Sequence, residues 1–156
     1  GVITMAIFTP EFIREYTQIK ERKVYRLHQY NGNGKIVQPA IPNNYFTRAG
    51  YEDCTTKRVC FAPSINKCLM ALSQNCTNMI LYVHIPDGNY EMYKPRQSEC
   101  PDVGVTGEIW ILRPVKLKCI GKIHVIGDAG KDGHQFKYGD HTAELYDWDW
   151  EWIERY

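Results

Sequence analysis

Thr106-Gly107-Glu108-Ile109-Trp110-Ile111-Leu112, running into Arg113-Pro114-Val115-Lys116-Leu117-Lys118-Cys119-Ile120-Gly121-Lys122-Ile123, is the stretch on which the fold turns. Its first half is β-branched and aromatic and Pro114 stops it, so it reads as a buried strand. A second strand is expected from Lys118 to Val125. Glu108 stands at the mouth of the apolar run. Desolvation disfavours a charged carboxylate there unless donors or a cation compensate. Glu108 is therefore either a solvated strand end or a working acid.

Upstream, Thr9-Pro10-Glu11 has cap, first-turn proline and dipole-matched acid in order. Phe12, Ile13, Tyr16 and Ile19 then make an apolar stripe, which predicts a packing helix from Pro10 to about Lys20. Lys23 to His28 reads as a strand, with Val24, Arg26 and His28 on one face and Tyr25 and Leu27 on the other. Asn31-Gly32-Asn33-Gly34 is a turn. Lys35 to Asp53 is an irregular excursion with at most one short strand, and long loops inside a compact domain are often functional. Arg58 to Ala62 is a short strand broken at Pro63, and Ser64 can cap a helix from Ile65 to about Ser73, with Ile65, Cys68, Leu69 and Leu72 on one face.

Further strands are expected at Met79 to Ile85, ending in the turn Pro86-Asp87-Gly88, and at Tyr90 to Tyr93. Lys94 to Gly104 reads as a polar loop, and Gly127 to Gly133 as an exposed turn. The tail from Leu145 to Ile153 alternates aromatic and acidic residues and predicts a half-buried strand. No linker or repeat argues for a second unit, so residues 1–156 are expected to form one domain.

Bulk properties exclude some function classes. With 44% hydrophobic and 24% charged residues, the chain has a globular balance. A net charge of +1 gives no general electrostatic case for nucleic-acid binding. No apolar run approaches the roughly 20 residues of a bilayer span, and Gly1 to Phe8 carries no charged leader, so neither membrane nor secretion is expected. The six cysteines (Cys54, Cys60, Cys68, Cys76, Cys100, Cys119) show no C-x-x-C spacing, which argues against zinc. Cys60, Cys68 and Cys119 read as small core residues, all six are expected to be reduced, and a cytoplasmic setting follows. Phosphate loops, dinucleotide-binding glycine motifs, zinc-protease motifs and nucleophile elbows are absent, and none of the five histidines pairs at metal-ligand spacing.

What remains is an order of elements. A strand bearing Arg26 and His28 precedes Val59-Cys60-Phe61-Ala62-Pro63-Ser64, which leads into the helix Ile65-Asn66-Lys67-Cys68-Leu69-Met70-Ala71-Leu72; a later strand opens on Glu108. Over roughly Val24 to Val125 the chain resembles the ADP-ribosyltransferase-like superfamily, which includes bacterial toxins, poly-ADP-ribose polymerases and phage enzymes. In that family an Arg or His on the first core strand holds bound NAD, a second motif runs from an aromatic residue through Ser-Thr-Ser into a helix, and Glu heads a late strand. The match departs in three places. His28 stands on the Arg26 strand where many relatives have a small residue. Only Ser64 stands for the Ser-Thr-Ser triplet, and Thr106 occupies the position two before Glu108 where a partner carboxylate or Gln would serve arginine-directed transfer.

The resemblance implies an α+β fold, a split, twisted, antiparallel-rich β-sandwich with two packing helices. It implies NAD as substrate and no metal, with Glu108 and Arg26 catalytic and Arg26, His28, Tyr51, Phe61 and Ser64 around the nucleotide. It implies ADP-ribosyl transfer to an unidentified host protein or nucleic acid, or NAD hydrolysis, in a phage or mobile-element protein acting in host cytoplasm. The chemistry suits the residues. Cleavage of the nicotinamide–ribose bond passes through an oxocarbenium-like state that a carboxylate stabilises, an arginine anchors phosphate or ribose by forked hydrogen bonds, and Tyr51 or Phe61 can stack on nicotinamide. Arg26, Phe61, Ser64 and Glu108 are then expected to line one cleft. Two other classes stay open: a non-catalytic module binding an NAD-like or ADP-ribose-derived nucleotide, and a protein-interaction inhibitor using the aromatic tail, whose plainer reading is edge-strand packing.

Overall fold

The computed structural model describes residues 17–19, 23–72, 74–96, 100, 103–130, 135–138 and 141–156. Among them every strand pairing is antiparallel, and the strands form two main sheets with short helices packed on them. Numbered in chain order, the smaller sheet holds β1 (Thr17–Ile19), β6 (Met92–Lys94), β7 (Ile109–Ile111) and β4 (Val59–Phe61), side by side in that order. The larger runs β11 (Asp147–Arg155), β8 (Val115–Gly130), β5 (Ile80–Pro86) and β2 (Arg26–His28), with β3 (Ile36–Val37) also paired to β8. β9 (Gln135–Tyr138) and β10 (His141–Glu144) make a separate two-stranded sheet. The helices are α1 (Tyr45–Arg48), α2 (Ile65–Ala71) and α3 (Val103–Thr106).

Period-two alternation explains the layers. In the smaller sheet Val59, Phe61, Ile109, Ile111 and Met92 turn to one side and join Val24, Val115 and Leu117 in a buried cluster. Cys60, Trp110 and Tyr93, which sit in register across β4, β7 and β6, pack into a second cluster with Cys100 and Val103. In the larger sheet Leu81, Val83, Ile123 and Val125 meet Ile65 and Leu69 of α2, and Trp148 of β11 closes that core. Ser64 caps α2 as expected, its side chain accepting from Lys67 N at 3.2 Å.

The two sheets meet at their edges. Tyr25 and Ala62 exchange backbone hydrogen bonds of 2.8 and 3.0 Å, joining the start of β2 to the end of β4. This seam brings Arg26 of one sheet beside Cys60 of the other.

Several sequence expectations are corrected. Thr17 to Ile19 is a strand paired to Met92–Lys94, not the end of a helix; the rest of the expected Pro10 helix lies outside the described residues. The local apolar stripe is overridden by pairing with a partner more than seventy positions away, which periodicity does not see. Gly127 to Gly130 is strand, not turn: β11 pairs along it, Asp149 with Gly127, Trp148 with Asp128 and Asp147 with Gly130. The rest of that expected turn, 131–133, lies outside the described residues. The strand expected to begin at Lys118 begins at Val115. α3 forms where only polar loop was expected, and α1 is a single turn inside the irregular excursion.

Candidate functional site

Glu108 sits half-buried just ahead of β7, whose three residues are fully buried. Three neutral donors hold its carboxylate. Trp110 Nε1 donates to Oε1 at 3.1 Å, Cys100 Sγ donates to Oε2 at 3.0 Å, and the Cys60 thiol also hydrogen-bonds to it. Because strand residues two apart share a face, Trp110 lies on the Glu108 side of the sheet and its indole N–H reaches back. Burial, followed by the negative charge of Glu108, pushes the Cys60 thiol well above its usual range, so Cys60 is a donor here and not a nucleophile.

On the other side of Cys60 stands Arg26. Its Nη1 donates to the Cys60 carbonyl at 2.9 Å and its Nε donates to His28 Nε2 at 3.0 Å, and Nη2 has no partner among the described residues. Both anchors fix the guanidinium. His28 can accept only while neutral, and it is held so: burial, aided by the charges of Arg26, His84 and Lys35, lowers its pKa from 6.5 to about 4. The His84 ring lies edge-on to it with centroids 5.0 Å apart. His84 is itself shifted down, chiefly by burial, and its Nε2 accepts from Gly32 N at 2.9 Å.

The long loop supplies a residue the sequence reading did not single out. Glu52 places a second carboxylate at the cluster: Glu52, Cys100 and Glu108 each offer an atom within 4.8 Å of the others. Arg58, with its side chain fully buried, sets Nη2 at 3.5 Å from Glu52 and lays its guanidinium over the Trp110 ring at 4.1 Å. Its Nη1 donates to the carbonyls of Asp53 and Thr56, at 2.8 and 2.9 Å. This cation already sits where an ion would otherwise balance the carboxylates. Arg58 in a strand of otherwise apolar residues was the available signal, since a buried arginine demands an anionic partner.

The expected site residues therefore divide. Arg26 and Glu108 flank Cys60 at the seam, and His28 accepts from Arg26. Ser64 is a helix cap one residue from Pro63, which packs against Gly107 so closely that a Cβ there would lie 2.9 Å from Pro63 Cγ. Tyr51 is half-buried next to Glu52 in the chain. Phe61 is 3% exposed in the core, on the face of β4 opposite Cys60, and does not line the cleft. A hollow of about 370 Å³ lined by Ile41, Pro42, Asn43, Thr47, Arg48 and Cys54 contains none of these groups. No family model, curated protein or solved structure matches the chain.

Proposed function

We propose that this protein is an NAD-consuming ADP-ribosyltransferase-like enzyme, transferring ADP-ribose to a macromolecule or to water. One observation carries the reading: a preorganised guanidinium, whose Nη2 has no partner among the described residues, and a half-buried carboxylate flank the same residue, Cys60, at the junction of two antiparallel sheets. Arg26 offers donors to phosphate or ribose oxygens. Glu108 offers negative charge to the ribose carbon as nicotinamide departs. Its three donors are neutral groups that set the orientation of the carboxylate.

The test is nicotinamide release from NAD, alone and with cell extract, beside calorimetric NAD binding. Wild type should bind and release. Glu108→Gln should bind with turnover down on the order of 100-fold, and Arg26→Ala should bind more weakly. Wild type that binds NAD and releases nothing selects the nucleotide-binding module instead. Wild type that does neither removes both readings.

A further inference from the structure

Arg58 is 3% exposed, and its Nε–H has no hydrogen-bond partner among the described residues. A buried unsatisfied donor is costly and calls for an explanation. In a guanidinium, Nε–H and one Nη2–H lie parallel along one edge, the edge that forks onto oxygen. Nη2 is the nitrogen that faces Glu52, at 3.5 Å. The orphaned donor is thus aimed to the side where Glu52 stands, and Glu52 in turn shares a cluster with Glu108. A group bound there meets a donor from Arg58 and an acceptor from Glu52.

A hydroxyl satisfies both, its oxygen accepting from Nε–H while its proton goes to the carboxylate. A guanidinium has five donors and no acceptor, so it would face Arg58 donor to donor. Resting on the transferase reading, we propose that Glu52 is the general base of the reaction, that Arg58 Nε holds the incoming oxygen, and that the acceptor is a hydroxyl: water, or an alcohol group on a macromolecule. The bond from the ribose anomeric carbon to nicotinamide breaks, and its electron pair leaves with the ring as neutral nicotinamide. A lone pair of the hydroxyl oxygen forms the new bond to that carbon, and its proton passes to Glu52 and on to solvent. Bond-making lags in an oxocarbenium-like transition state, so the proton becomes acidic late and a carboxylate paired with arginine suffices as base.

The experiment uses the full chain with NAD and three nucleophiles: water, azide and methanol, with a soluble alkylguanidine as competitor. Glu52→Gln should bind NAD as wild type does and hydrolyse it on the order of 100-fold more slowly, the usual worth of a positioned base. Azide has no proton to lose, so it should restore Glu52→Gln and leave Glu108→Gln slow. The acidic limb of the wild-type kcat–pH profile should shrink in Glu52→Gln to the part that Glu108 sets. Wild type should form a methyl ADP-riboside and no guanidine adduct. Unchanged hydrolysis in Glu52→Gln, failure of azide to restore it, or a predominant guanidine adduct overturns the proposal. Should Glu52→Gln not fold, Glu52→Asp carries the same azide test with the same two outcomes. Wild type that releases no nicotinamide brings down the transferase reading and this role together, whereas active wild type matched by Glu52→Gln brings down this role alone.

Discussion

At the scale of single residues, Cys60 organises the site without reacting in it. Its carbonyl fixes Arg26, and its protonated thiol donates to Glu108. The six cysteines are free, and they differ widely in access: Cys54 is exposed, Cys60 is half-buried, and Cys68, Cys76, Cys100 and Cys119 are buried. Burial lifts the Cys68 thiol to about 12, which leaves it almost no reactive thiolate at neutral pH. A thiol reagent applied to folded protein should therefore label Cys54 first, and label all six only after unfolding. Intact mass under the two conditions measures this. Rapid native labelling of Cys60 would contradict the thiol held against Glu108.

At the scale of elements, α2 and β11 together secure the larger sheet. Ser64→Ala removes the acceptor for Lys67 N and should cost about 1 kcal/mol. Leu69, fully buried between α2 and the sheet, should cost about 2–5 kcal/mol on truncation to Ala. Gly121 is more demanding than either. Its φ of 150° disfavours a side chain, and a Cβ there would lie 2.3 Å from Glu154 O and 2.8 Å from the Trp152 ring. Gly121→Ala should displace β11 from β8 and lower the melting temperature more than Ser64→Ala, read by thermal unfolding of the three variants side by side. The aromatic tail has its place in this packing. Trp148 is buried, Trp150 and Trp152 lie half-buried against the same core, and Trp150 Nε1 donates to Asn66 Oδ1 at 2.5 Å.

At the scale of the whole molecule, His28 couples acid stability to the site. Its folded pKa of about 4 lies below the ordinary 6.5, so between those values the unfolded chain binds the extra proton. Stability from this group is complete above about pH 6.5 and is lost as pH falls toward 4. Asp53 acts in the same direction lower down. Burial raises its pKa, but hydrogen bonds from Thr56 and Thr55 outweigh that and hold it below 3.8, so its contribution fades only in stronger acid. Denaturant titrations at pH 7.5 and pH 5 should show wild type losing midpoint stability, and His28→Asn losing less. Equal losses in the two proteins would remove His28 as the source. Protonation also takes away the acceptor for Arg26 Nε, so NAD affinity should fall over the same interval.

Elements whose signal is local follow from the order of residues alone. Ile109 to Ile111 is buried strand because apolar β-formers follow one another there, and Ser64 opens α2 because a strand-breaking proline, a cap and an apolar stripe occur in order. Val115 to Val125 alternates buried and more exposed residues as a period of two requires. Alternation also identified the tail as a strand. Tertiary structure decided what rests on distant partners. Thr17 to Ile19 and Gly127 to Gly130 became strands because β6 and β11 supply hydrogen bonds that no local window contains. Phe61 went to the core and Cys60 to the site because the pairing of β4 with β7 chose their faces. Glu52, Arg58 and Cys100 joined Glu108 because a long loop folded back on it. Local chemistry fixes how a backbone segment lies, while the meeting of two carboxylates and two arginines is set by chain closure over scores of residues, which no spacing along the chain records.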